Sequence, residues 1–322
     1  MTILPTQSID PVFIGVDVAS KHLDAAVHGA GGLKRLANSA PAISTWLDTL
    51  PAGSTIALES TGRHHQTLAT SAHARGFVVY VLNPRDVRHY ARAMGMRGKT
   101  DRLDARILAR YVAHEHHELR RWEPQPCEQQ ALDELIRRRA TVVKSQQALR
   151  MSASDSPAFK AMIKPTMMAF DKLLAELDKQ IAAVAAALSA DTQQFESIIS
   201  VPGIGLLSGS ALLGLFRRLQ TRGADAVIAF LGLDPRPMDS GQKTGLRRLS
   251  KRGPAEWRRL LFNAAMAASR TKAWNPHYER ERAKGLPRTA ALNVLARKLV
   301  RVAFALFKTN SRFDPSIVAT KS

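Results

Sequence analysis

A single cysteine, Cys127, stands among 322 residues, so no internal disulfide can form and the fold must rest on buried apolar surface. Aromatic side chains are equally scarce at 6%, which argues against a surface built to stack unpaired bases. No apolar run approaches the roughly 20 residues that a bilayer-spanning helix needs. The opening MTILPTQSIDP also lacks the basic start and apolar core of an export signal. A cytoplasmic protein with no membrane partner is therefore expected. Acidic residues are the last shortage: 27 Asp and Glu face 47 Lys and Arg, a formal charge of +20. That excess calls for a polyanionic partner, bound through its phosphate backbone.

What is present reads as globular, with 45% hydrophobic and 23% charged residues. The length suits two modest domains, each with its own core. Basic residues gather at Arg137, Arg138 and Arg139, at Arg217 and Arg218, at Arg247, Arg248, Lys251 and Arg252, and at Arg258 and Arg259. Any one cluster can be a solvated helix face; the excess as a whole cannot be explained that way.

The first third alternates between the strand and helix periods. VFIGVDVA (12–19) is an apolar run, Leu23, Ala25 and Val27 alternate, and Gly31-Gly32 turns into LKRLAN, which predicts a three-stranded meander. A helix over 41–50, a strand over 54–60, a helix over 64–75, the β-branched strand FVVYVLN (77–83) and a helix over 85–93 follow. A basic loop from Gly95 to Lys99 then leads to Thr100, which can N-cap a helix reaching about Ala113. Such an order predicts an RNase H-like α/β domain. Two long helices are expected over 128–150 and 158–189, joined through MSASDSP. They form a hairpin that serves as a dimerising coiled coil or a spacer, self-association ranking first. The rest is mainly helical, interrupted by a polar stretch from Asp234 to Gly253, and ends in a frayed tail over 309–322.

Three constellations carry chemistry. Asp17 lies inside GVDVAS, where a carboxylate among apolar neighbours is costly without a cation or hydrogen bonds. Glu59 ends the strand IALES, and Asp101 and Asp104 lie three apart, on one face of a helix. Each has a plainer reading: Glu59 as a strand end meeting solvent, Asp101 and Asp104 as first-turn acids favoured by the helix dipole. Asp17 resists one. If the elements converge as in an RNase H-like domain, the four hard-oxygen donors would hold one or two Mg²⁺ ions, with Mn²⁺ an equivalent.

The second constellation is VPGIG (201–205), where Gly203 and Gly205 break between helices and would offer backbone N–H groups to phosphate, in the manner of a helix-hairpin-helix element; a tight structural turn is the alternative. In the third, DPRPMDSGQKTGLRRLSKRGPAEWRR (234–259), Ser240 is ringed by Arg236, Lys243, Arg247, Arg248, Lys251 and Arg252. Cationic groups there would hold a phosphate and ease attack by a hydroxyl. Ser240 can equally be a turn residue, and Ser250 is a rival that looks like a helix N-cap.

Taken together, these stretches resemble the DEDD transposases of bridge-RNA insertion elements, the insertion sequence 110 family, which includes the pilin-gene invertases. The resemblance is carried by GVDVAS, ALESTG, NPRDVRHYARAMGMRGKTDRLDARILA, VPGIG and FLGLDPRPMDSGQKTGLRRLSKRGPAEWRRLLF, in that order. It implies a RuvC-like domain over 1–125, a coiled-coil linker over 126–194 and a C-terminal transposase domain over 195–322. It further implies that Ser240 attacks a DNA phosphate beside Mg²⁺ held by Asp17, Glu59, Asp101 and Asp104. Lys99 and the basic residues around Ser240 would meet nucleic acid. The implied partners are double-stranded donor and target DNA, a structured noncoding bridge RNA, and further copies of the chain as a dimer or tetramer.

Overall fold

A computed structural model describes residues 12–60, 62, 64–95, 101–189, 193–219, 222–236 and 247–316, with residues 101–103 described by their backbone alone. The chain divides into two compact units, Met1–Pro124 and Gln125–Ser322.

The first unit opens with the expected meander, β1 (Phe13–Val18), β2 (His22–Val27) and β3 (Leu33–Ala37), all antiparallel. After it come α1 (Ala40–Leu47), β4 (Thr55–Glu59), α2 (Gln66–Ala74), β5 (Val78–Leu82), α3 (Pro84–Ala93) and α4 (Asp101–Glu115). β4 runs parallel to β1 and β5 parallel to β4, giving one sheet in the order β3-β2-β1-β4-β5. Strand alternation divides the side chains between two layers. Ile14, Val16, Val18, Ile56 and Leu58 are buried in one cluster with Trp46 and Leu47 of α1 and Leu68 and Ala72 of α2. On the other face Ala57, Tyr80 and Leu82 pack with Val87 of α3 and Ile107, Leu108 and Val112 of α4. A sheet covered on both faces explains why its central strands read as nearly continuous apolar runs. Asn83 caps α3, its side-chain oxygen accepting the Arg85 N–H at 2.9 Å, with Pro84 in the first turn.

The close seating of α4 depends on Gly15. A Cβ there would stand 2.1 Å from the Ala105 carbonyl oxygen and 2.2 Å from the Ala109 nitrogen. Helix backbone thus rests directly on strand backbone, and only glycine permits it.

The second unit begins with α5 (Cys127–Ser152) and α6 (Pro157–Leu188). They pair as an antiparallel hairpin through Arg139 to Asp178 at 2.5 Å and Gln146 to Asp171 at 2.7 Å. There follow α7 (Gln194–Ile199), α8 (Leu206–Leu219), α9 (Ala224–Leu231), β6 (Pro235–Arg236), β7 (Arg248–Leu249), α10 (Ala255–Ala268), α11 (Asn275–Ala283) and α12 (Arg288–Thr309). The apolar stripe of α12 is buried from Leu292 to Phe307, and Phe216 of α8 meets Phe304 and Phe307 with ring centroids 5.1 and 5.4 Å away. The hairpin, read from sequence as a linker over 126–194, shares this core: Leu132, Ile136, Ile181 and Ala185 are buried with Phe216. Gly214 allows the contact, since a Cβ there would meet the Gln129 side chain.

Three local expectations are corrected. The stretch from Asp234 to Gly253 contains a two-stranded antiparallel ribbon, β6 against β7. Ser250 is no N-cap, because α10 starts after Pro254; its hydroxyl instead bonds the Asp234 carboxylate across the ribbon. The tail is not frayed at its start, for the Phe313 N–H donates to Ser200 Oγ at 2.9 Å and its ring lies 5.5 Å from Trp274. Among the described residues no helix is long and apolar enough to cross a membrane.

Candidate active site

Register places the acids of the first unit. The last parallel rung of β1 and β4 joins Val16 to Leu58, so the next residues lie side by side, Asp17 one residue before the end of β1 and Glu59 at the end of β4. Alternation puts Asp17 on the face of Gly15 and Glu59 on the face of Ala57, which is the face that α4 covers. Both are half-buried. Asp104 of α4, also half-buried, precedes Ala105, the residue whose carbonyl rests on Gly15. Since Phe13, at the other end of β1, meets His116 at 5.0 Å, α4 runs antiparallel to β1 and its N-terminal turn lies toward Asp17.

Three of the four predicted acids, Asp17, Glu59 and Asp104, therefore belong to two neighbouring strands and the helix on a single face of the sheet. The side chain of Asp101 lies outside the described residues. Among the described residues no three His, Cys, Asp or Glu side chains come close enough to hold a metal ion together. The donor chemistry suits a hard divalent cation: half-buried carboxylates on neighbouring strands and the helix that covers them, with no softer donor among them.

A fourth carboxylate on this face escaped the sequence reading. Asp24 is Asp17's direct cross-strand partner in β2 and is fully buried. Side by side on one face, two carboxylates would repel. Arg35, opposite Asp24 on β3, answers it with two bonds of 2.7 Å, Nε to Oδ1 and a terminal nitrogen to Oδ2. With both oxygens held by the Arg35 guanidinium, Asp24 is a charge-neutralised structural residue of the sheet rather than a metal ligand. The signal was legible: HLDAAV buries an aspartate among apolar residues just as GVDVAS does. Arg35→Met is expected to destabilise the protein by about 2–3 kcal/mol, because the buried Asp24 loses its counter-charge. Urea unfolding reads this, and Asp24→Asn combined with Arg35→Met should recover most of the loss.

In the second unit the VPGIG turn joins α7 to α8 as the sequence predicts, but its glycines have local duties. Gly203 has φ +96°, and a Cβ on it would strike Ala268 and the Ala264 carbonyl of α10. Gly205, read as offering an open N–H, donates it to Ser208 Oγ at 3.1 Å, which satisfies one of the helix's orphan donors internally.

The serine loop has firmly built feet. Gly232 and Gly253 are pressed together between α9 and the strand leaving the ribbon; a Cβ on Gly253 would lie 1.9 Å from the Phe230 carbonyl. Lys251 is held at φ +50°, a strained conformation for a side-chain-bearing residue, and its N–H donates to the Gly232 carbonyl at 3.0 Å. Arg236 and Arg248 face each other directly across the ribbon, both exposed, with Asp234 3.7 Å from Arg236. Arg247 and Arg252 extend this exposed basic edge. Lys99, Ser240 and Lys243 lie outside the described residues. Several other basic clusters are committed within the fold. Arg259 is drawn to Glu256, whose hydrogen bonds raise its pKa above the ordinary guanidinium value, Arg258 donates to the Leu231 carbonyl at 3.1 Å, and Arg218 lies over the Phe230 ring at 5.3 Å.

Comparison with known proteins decides the family. One family model, described as "Transposase", matches residues 14–155, and a second, "Transposase IS116/IS110/IS902 family", matches residues 195–279. The chain belongs to this transposase family. The transposase is 25% identical to the pilin gene-inverting protein of Moraxella bovis, over 95% of this chain and 98% of that protein. It shows the same identity and coverage with the protein of that name from Moraxella lacunata. A transposase for insertion sequence element IS1111A from Coxiella burnetii is 26% identical over 61% of this chain and 60% of the relative. The first matched segment of the transposase contains Asp17, Glu59, Asp101 and Asp104, and the second contains VPGIG, the ribbon and Ser240. DNA is accordingly the substrate of its recombination activity.

Proposed function

We propose that this transposase is an RNA-guided, site-specific DNA recombinase of an insertion sequence, cleaving and rejoining DNA through a phosphoserine intermediate. The observation that carries the reading is the placement of Asp17 beside Glu59 on the sheet face overlain by α4, which bears Asp101 and Asp104. The sheet order β3-β2-β1-β4-β5, with one antiparallel edge and parallel β1, β4 and β5, supports an RNase H-like, RuvC-like classification of the first unit. Asp17, Glu59, Asp101 and Asp104 would hold Mg²⁺, or Mn²⁺ in its place. When bound, the ion supplies charge stabilisation to a phosphate whose oxygens become more negative as it reacts.

Ser240 is the proposed nucleophile. Its hydroxyl gives up its proton as Oγ bonds to phosphorus and one phosphorus–oxygen bond of the DNA backbone breaks; the released deoxyribose oxygen takes up a proton, so none is gained or lost overall. Rejoining is the reverse, with a sugar hydroxyl from another strand end attacking phosphorus and Oγ leaving. Arg236 and Arg248, paired across the ribbon, together with Lys243, Arg247, Lys251 and Arg252, would offset the phosphate charge. Lys99 and the VPGIG turn, through Gly203, are proposed as further backbone contacts. The partners are donor and target duplexes, a structured noncoding RNA, and additional copies of the chain, a dimer or tetramer, in the cytoplasm near the nucleoid. Inversion of a DNA segment is the second reading, favoured by the pilin gene-inverting proteins that cover nearly the whole chain.

The experiment is adduct mapping. Purified transposase incubated with a cognate DNA substrate and Mg²⁺, then denatured and digested, should yield one nucleotide-bearing peptide, with the label on Ser240. Cleavage without any protein-linked DNA would mean direct hydrolysis by water, as in a junction resolvase, and would end the phosphoserine reading.

A further inference from the structure

Helix α4 carries a basic stripe that neither the carboxylates nor the serine uses. Arg102, Arg106, Arg110 and His114 recur every fourth residue, so they follow one side of the helix with a rise of about 6 Å per step. Arg106, Arg110 and His114 are exposed. Beside them lies the turn between β2 and β3, and turn and helix enclose an open cavity of about 350 Å³ lined by His28, Gly29, Gly31, Arg106 and Arg110. The Arg106 guanidinium donates to the Gly31 carbonyl at 2.8 Å, and the rings of His28 and His114 meet edge to face at 5.4 Å. No acidic residue lines the cavity, and none among the described residues forms an ion pair with Arg106 or Arg110. The turn backbone is open to close approach, since a Cβ on Gly29, Gly31 or Gly32 would meet nothing within 4 Å.

A charged stripe on a helix is often only a solvated face. Two features set this one apart. It lacks the opposite charges that normally alternate along such a face, and it shares a helix with Asp101 and Asp104. From His114 to Arg106 it climbs toward the turn of α4 that lies over the Asp17 end of β1. A strand laid along it would therefore pass beside the acids.

We propose that this stripe and the β2–β3 turn cradle the phosphodiester backbone of a DNA strand and lead it to Asp17, Glu59 and Asp104. Arg106 and Arg110 contact successive phosphates, flanked by His28 and His114. DNA rather than RNA is the occupant, because the phosphate to be cut must arrive at the end of the stripe where the acids are. The inference rests on the recombinase reading.

The test is fluorescence anisotropy of a short labelled DNA duplex, in EDTA so that no cleavage occurs, across a salt series. Arg106→Gln with Arg110→Gln should weaken binding tenfold or more and lower the log–log salt slope by about 2, the loss of two phosphate contacts. Arg106→Lys with Arg110→Lys should restore most of the affinity, since a lysine still meets a phosphate as a point charge. Arg120→Gln with Arg121→Gln makes the same charge change on other exposed arginines of the unit and should have less than half the effect. Equal losses in the two glutamine pairs, or no loss in the first, overturn the proposal. A loss confined to labelled RNA overturns its assignment to DNA. If the unaltered transposase binds no DNA at all, the recombinase reading falls; if it does and the stripe variant binds equally well, only the stripe falls.

Discussion

A transposase carrying Asp17→Asn is expected to lose DNA strand cleavage by about a thousandfold or more, and to fold as before. Asparagine has the shape of aspartate and keeps the strand, so β1 should pair with β2 and β4 unchanged. What disappears is one negative donor beside Glu59. Loss of the several kcal/mol that a bound divalent ion lends a reacting phosphate corresponds to about 10³ in rate. The rise in melting temperature that Mg²⁺ gives the parent should be lost in the variant. Cleavage within tenfold of the parent, or an unchanged Mg²⁺ response, would count against a metal at this position.

Ser240→Ala should be just as inactive for a different reason. The hydroxyl that takes the DNA strand is gone, so no protein-linked DNA should form under any metal condition. Because the acids are untouched, the stabilisation by Mg²⁺ should persist at full size. The two substitutions thus separate: one loses metal response and adduct together, the other loses the adduct alone. Ser250 is the internal control, since its hydroxyl is bonded to Asp234. Ser250→Ala should loosen the ribbon and slow adduct formation without abolishing it. An adduct that survives Ser240→Ala and vanishes with Ser250→Ala would move the nucleophile ten residues along the chain.

The first unit was legible because its signals are dense. GVDVAS, IALES and FVVYVLN each carry enough β-branched and apolar residues to mark a strand covered on both faces, and Asn83-Pro84 marks where a helix must begin. Asp17 stood out because its neighbours along GVDVAS are all apolar or small. Asp24 gave the same signal and was missed, because its partner Arg35 is opposite only after the hairpin register is known. The ribbon of β6 and β7 is two residues per strand, too short for any periodicity to show. The helical hairpin reads from sequence as a coiled-coil linker over 126–194, its Leu132, Ile136, Ile181 and Ala185 falling at ordinary helical spacing. That spacing says a face is buried but not against what; the shared cluster with Phe216 and the seating of Gln129 on Gly214 supply the partner. Charge counts were the least informative guide to position: Arg218, Arg258 and Arg259 belong to conspicuous basic clusters and serve the fold itself.

The most direct test is to count Mn²⁺ ions by electron paramagnetic resonance on the full-length transposase. The account predicts one or two ions bound per chain in the unaltered protein, and a loss of binding in Asp17→Asn and Glu59→Gln alike. Binding that is indifferent to both substitutions, or absent from the unaltered protein with its DNA present, would contradict it.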